Sequence, residues 1–154
     1  MHHKQNAQAY LQQQIEQADS FQQAMMLYDG AVRFLMQAKD AIGAGEIEAR
    51  YNANRRAIDI VTYLLGLFDP ATGGEVAKRM YGIHIGLLQR MAQIDFENDA
   101  AICDEVIGHL KTLRASLSKT RSDMQGIKDT KAAAAKDAPK DAEKEIKLPR
   151  HAVA

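Results

Sequence analysis

The 154 residues include one cysteine, three prolines and no tryptophan, and each scarcity excludes something. Cys103 alone makes an intrachain disulfide impossible, and a lone thiol fits a reducing compartment. So few prolines leave long stretches free to be helical. No apolar run approaches the roughly 18 to 20 residues a spanning helix needs, so membrane insertion is not expected. The opening MHHKQNAQAYLQQQ lacks the apolar segment of a secretion signal. Charge is balanced at 20 basic and 20 acidic residues, which excludes nucleic acid as a bulk electrostatic partner. The balance hides an asymmetry: residues 1–118 hold 11 Lys/Arg against 14 Asp/Glu, and residues 119–154 hold 9 against 6.

Site chemistry is equally scarce. A di-metal carboxylate bundle needs Glu-x-x-His on two helices, and the pattern is absent. His84 and His109 have no carboxylates at ligand spacing, and the terminal His2-His3 pair is given no role. The loop TGGE is too short for a phosphate-binding loop and lacks its lysine. GHLKTLRAS, around His109, faintly resembles a histidine phosphotransfer site. Its lysine, however, follows two residues after the histidine, no glycine makes room beyond it, and His109 is expected on the core stripe of its helix. No cofactor, no metal and no enzymatic activity are expected.

What is present is helix. A first helix is predicted from Ser20, whose spacing to Gln23 matches a capping box, to the glycines of AIGAGE. A second runs from about Glu46 to Phe68, where Asp69-Pro70 stops it. A third spans about Glu75 to Ile94 and a fourth about Asp99 to Leu117. Four such segments with short links predict an all-α protein, an antiparallel four-helix bundle over residues 20–118. Residues 1–19 read as an arm or short helix anchored by Tyr10, Leu11 and Ile15. Residues 119–154, rich in Lys, Ala and Asp, read as a disordered tail.

Laid out at roughly 100° per residue, the helices are oilier than a bundle requires. The first carries a core stripe of Ala24, Leu27, Ala31, Phe34, Leu35, Ala38 and Ile42, and a second line of Met25, Val32 and Met36. Gly30 lies on neither and implies close approach of another backbone. In the second helix Asn54, Ile58, Val61, Leu65 and Phe68 form the core stripe, widened by Ile60, Leu64 and Leu67. In the third, Val76, Met80, Ile83, Leu87, Met91 and Ile94 face one way, with Tyr81, Ile85 and Leu88 nearly opposite. In the fourth, Ile102, Val106, Leu110, Leu113 and Leu117 point inward. Surplus apolar surface marks an interaction site. The residues leave two coverings open: a second copy, making a self-associating helical adaptor with a homodimer seam, or a segment of another protein. Flexible methionines at positions 25 and 36 suit the latter.

The blocks MLYDGAVRFLMQA (26–38), LFDPATGGEVAKRM (67–80) and DEVIGHLKTLRASL (104–117), with Ala9-Tyr10, give the chain a resemblance to the flagellin-specific export chaperones of the FliS type. Tyr10, Leu27, Tyr28, Asp29 and Gly30 match family positions, as do Gly73, Gly74, Glu75 and Ala77. The resemblance implies a cytoplasmic bundle that binds the disordered C-terminal region of flagellin, prevents premature polymerisation and serves the flagellar type III export apparatus. It makes Tyr10, Met25, Val32, Met36, Ile60, Leu64, Leu67, Tyr81, Ile85 and Leu88 the expected client-binding set. Three departures stand out. Asp19-Ser20-Phe21-Gln22-Gln23 replaces the usual Ser-Pro-Glu-Glu, Ile83-His84-Ile85-Gly86 replaces Leu-Tyr-Asp-Tyr, and Leu117 stands where a tryptophan is common.

Overall fold

A computed structural model describes residues 20–132, with side-chain burial given as far as residue 122. The expected arm, with Tyr10, and the tail beyond residue 132 lie outside the described residues. Within them the chain forms four α-helices and no strand: α1 (Ser20–Ala44), α2 (Ile47–Leu65), α3 (Gly74–Glu97) and α4 (Ala100–Ala132). The last helix does not stop at Leu117. Residues 118–132 have too few apolar groups to be buried, but they hold good helix formers and no proline, and polarity opposes burial rather than helix.

The chain divides into two compact units, Leu27–Leu113 and, separately, Met1–Met26 with Arg114–Ala154. In the latter, Gln23, Ala24 and Met25 are buried. Thr120 Oγ1 donates to the Ser116 carbonyl at 2.9 Å.

Local chemistry sets the helix ends of the larger unit. Gly45 adopts φ 71°, while its amide bonds Ile42 O and that of Glu46 bonds Ala41 O, the paired bonds of a Schellman stop. Asn98 ends α3 in the left-handed region at φ 50°, its amide on Ile94 O. Between α2 and α3, Asp69 accepts from the Ala71 amide and the Thr72 hydroxyl. The Gly73 amide then bonds Asp69 O. A Cβ on Gly73 would sit 2.3 Å from Ala77 Cβ and 2.8 Å from Asp69 O, and Gly74 has φ 73°. One glycine is needed for space and the next for conformation.

The core is aliphatic, with Ala31, Leu35, Ala57, Val61, Met91, Ile94, Val106 and Leu110 all sealed. The neighbour of Gly30 is the Ile60 methyl rather than a backbone: a Cβ there would lie 3.4 Å from Ile60 Cδ1.

Buried polar groups pin the helices to one another. Arg50, 8% exposed, pairs through Nε with Asp95 at 3.2 Å and donates from Nη1 to Asn98 Oδ1 at 2.5 Å. Asn54 Nδ2 donates to Met91 O at 2.9 Å and to Asp95 Oδ2 at 3.0 Å. These bonds run 50 to 95 and 54 to 91, so α2 and α3 are antiparallel. Toward the other end of α3, His84 is fully buried. Its Nδ1 donates to Met80 O at 2.6 Å, which leaves Nε2 to accept from the Tyr28 hydroxyl at 2.8 Å. The Phe68 ring lies 5.2 Å away.

His84 reorganises the expected core of α3. The residues read as two opposed stripes are the margins of a single wide face, with His84 on its midline. Val76 is 74% exposed and Ile83 is exposed too, so neither is core. His109, expected inward, is exposed.

Two tests follow from these contacts. Gly73→Ala is expected to destabilise by about 1–3 kcal/mol, as overpacking does. Gly30→Ala, with a tolerable contact and better helix propensity, is expected to be neutral or to stabilise by up to about 1 kcal/mol. Urea titrations of both variants check the opposite signs. The second test concerns pH. Burial depresses the His84 pKa below its ordinary 6.5. As pH falls through that value the unfolded chain takes up a proton that the folded chain refuses. The stabilisation is therefore present above it and is lost as pH falls toward the lower folded value. Melting temperature is expected to drop between about pH 7 and pH 5, and His84→Gln is expected to flatten that slope; an equally steep slope in the variant would count against a neutral buried imidazole.

Candidate functional site

The α2–α3 pins decide which apolar residues face outward. Both helices are right-handed and run in opposite senses. Residues that follow the pinned face by a quarter turn therefore project to the same side of the pair on both helices. On α2 these are Ile47, Tyr51, Ile58 and Leu65; on α3 they are Tyr81, Ile85, Leu88 and Phe96. The register set by Arg50–Asp95 and Asn54–Met91 brings Tyr51 level with Phe96, Ile58 with Leu88, and Leu65 with Tyr81. The opposite side of the pair carries Ile60, Leu64, Leu87 and Ile94, all buried, so the first side is the outer one.

Exposure grades along this strip. Ile47 is 65% exposed, Tyr51 46% and Phe96 88%, while Ile58, Leu65, Tyr81, Ile85 and Leu88 are half-buried. A nearly continuous apolar groove thus runs between the two helices and ends in an open aromatic pair. Arg55 Nη1 donates to the Tyr51 hydroxyl at 3.2 Å, so the phenol's polar tip is satisfied at the surface.

The expected client-binding residues divide against this geometry. Tyr81, Ile85 and Leu88 line the groove. Ile60 and Leu64 do not: they are 2% and 0% exposed and belong to the core. In α2 the assignment is reversed, because Ile58 and Leu65, expected in the core, are the ones at the outer edge. Leu67 lies beyond the end of α2, in the turn that follows, and is half-buried. On α1, Met25 is buried, Val32 is half-buried and Met36 is 53% exposed, so the second line of α1 is open only toward Met36. Sequence reading missed Tyr51 and Phe96. The signal was there in an isolated aromatic on each helix, a quarter turn from a buried polar residue.

A second concavity, of about 460 Å³, lies between α3 and α4 and is lined by Ile83, Leu87, Arg90, Glu105, His109 and Leu113 among others. Arg90 closes one side by bonding Glu105 and Gln93. Neither concavity has the parts of a reaction centre. Among the described residues no cluster of His, Cys, Asp and Glu could hold a metal. Cys103 is sealed, and burial pushes its thiol up to about 11, which leaves it unreactive. Among the described residues no helix is long and apolar enough to cross a membrane.

The grooves and the absence of a reaction centre agree with what the chain is similar to. Residues 3–122 match the family model described as flagellar protein FliS. The flagellar secretion chaperone FliS of Campylobacter jejuni is 35% identical over 88 residues, 57% of this chain and 69% of that protein. The flagellar secretion chaperone FliS of Salmonella typhimurium is 30% identical over 108 residues, 70% and 80% of the respective chains. That of Vibrio cholerae is 26% identical over 103 residues, 67% and 76%. With most of its length matched, this chain belongs to the FliS family of flagellar secretion chaperones, a chaperone family rather than an enzyme one.

Proposed function

We propose that the chain is a cytoplasmic, flagellin-specific chaperone that holds flagellin's C-terminal region in the outer α2–α3 groove and hands it on to the flagellar export apparatus. The observation that carries this reading is the apolar strip from Leu65 and Tyr81 to Tyr51 and Phe96. A strip between two antiparallel helices suits an amphipathic helix laid along it. The line from Val32 to Met36 on α1 offers a second, smaller foothold.

The energetics fit a client that is unfolded when free. Ordering it costs free energy, so affinity per unit area is modest and the wrapped surface must be large. Burying on the order of 1,000 Å² of apolar area at about 25 cal/mol per Å² offsets that cost. Capture of the segment removes it from polymerisation, and release requires no nucleotide, because the same contacts dissociate once a competing surface takes the client.

Calorimetric titration of a peptide from the flagellin C-terminus is expected to show a large negative heat-capacity change. Ile85→Glu and Leu88→Glu are each expected to weaken binding at least about tenfold, at the cost of burying a charge, with helicity checked by circular dichroism. Met36→Glu measures the contribution of α1. Undiminished affinity in both groove variants would remove the groove from the account.

A further inference from the structure

The outer α2–α3 face raises a question of its own: what covers it when no client is bound. Ile47, Tyr51 and Phe96 stand well out of the surface at one end of the strip. Apolar exposure of this size on neighbouring helices is costly in water. The charges on the same side of α2 are few and balanced. Glu48 and Arg55, both exposed, lie seven residues apart, two helical turns or about 10.5 Å, on either side of Tyr51.

That spacing gives the face a symmetry. A two-fold axis passing between Tyr51 and Asn52 exchanges positions 48 and 55. It lays α2 antiparallel on α2 of another copy, with each Glu48 opposite the other copy's Arg55, and it brings the two Tyr51 rings and the two Ile47–Ile58 edges together. Such self-complementarity is what an isologous interface requires. An unrelated partner would not need the two charges to be equal, opposite and symmetric about the aromatic. Arg55 can keep its bond to Tyr51 while serving a carboxylate, since a guanidinium has five donors.

We infer that the free chaperone forms a homodimer whose seam is the outer α2–α3 face, with reciprocal Glu48–Arg55 pairs, so that self-association and client capture exclude one another. The seam stands on this face alone; the competition rests on the client reading above. Two helices of this length offer a footprint on the order of 500 to 600 Å² per copy, at the lower end for specific interfaces, which fits a micromolar pair that a client can displace.

The test is sedimentation of the full chain from about 1 to 500 μM, with four variants. Phe96→Glu is expected to leave a monomer throughout. Glu48→Arg and Arg55→Glu, each placing like charges across the axis, are each expected to weaken the dimer about tenfold or more. The double variant, which restores the opposite pairing with its signs exchanged, is expected to recover most of that loss. Four surface substitutions with unchanged melting temperature exclude unfolding as the cause. A chain monomeric over the whole range overturns the proposal, as does a dimer indifferent to Phe96→Glu or a double variant no better than the singles. Adding the flagellin peptide separates the two readings. Monomerisation supports both, while a dimer that obeys the charge swaps but ignores the peptide keeps the seam and removes only the client from this face.

Discussion

The antiparallel lock between α2 and α3, made by Arg50 and Asn54 on one helix and Asp95, Asn98 and the Met91 carbonyl on the other, is the constraint on which the rest depends. Apolar packing alone does not fix how far a helix is turned about its axis, since either edge of a broad oily face can point inward. Directional bonds from buried donors do fix it. With Arg50 nearly sealed and tied to two partners, rotation of α2 would strand a buried guanidinium. The outward position of Ile58, Leu65, Ile85 and Leu88 is a consequence of where those polar groups sit.

His84 plays the corresponding part toward the other end of α3. A neutral imidazole bonded on both nitrogens fills a central core position without an orphaned polar atom. The Tyr28 hydroxyl that satisfies it belongs to the LYDG block. That block therefore has a packing role here, holding α1 against α3, independent of any client. The neighbouring glycines also have physical reasons of their own, from the crowding at Gly73 to the left-handed Gly74.

Much of the architecture was legible in the sequence, because helix ends are written in residues with strong local preferences: Gly45, Asp69-Pro70 and the break before Asp99. The extension of α4 to Ala132 was not, since a polar helix has no apolar period to betray it. Helix rotation was the larger gap. Wheels weigh apolar residues, and the midline of the buried face of α3 holds a histidine, so one face was read as two. In α2 the inward edge holds Ile60 and Leu64 and the outward edge Ile58 and Leu65. These are indistinguishable in chemistry and separable only once a neighbouring helix is in place. Tyr81, Ile85 and Leu88 were identified because α3 offers no rival aliphatic set on that margin.

The lengths of the links between helices have a mechanical consequence. Only Gly45-Glu46 separates α1 from α2 and only Asn98-Asp99 separates α3 from α4, whereas eight residues, 66–73, lie between α2 and α3. The larger unit is thus two stiff hairpins sharing one pliant joint, and the outer groove runs along the line where they meet. A guest wedged there pushes on that joint and on the Arg50–Asp95 clasp that bridges it, while both hairpins keep their own packing.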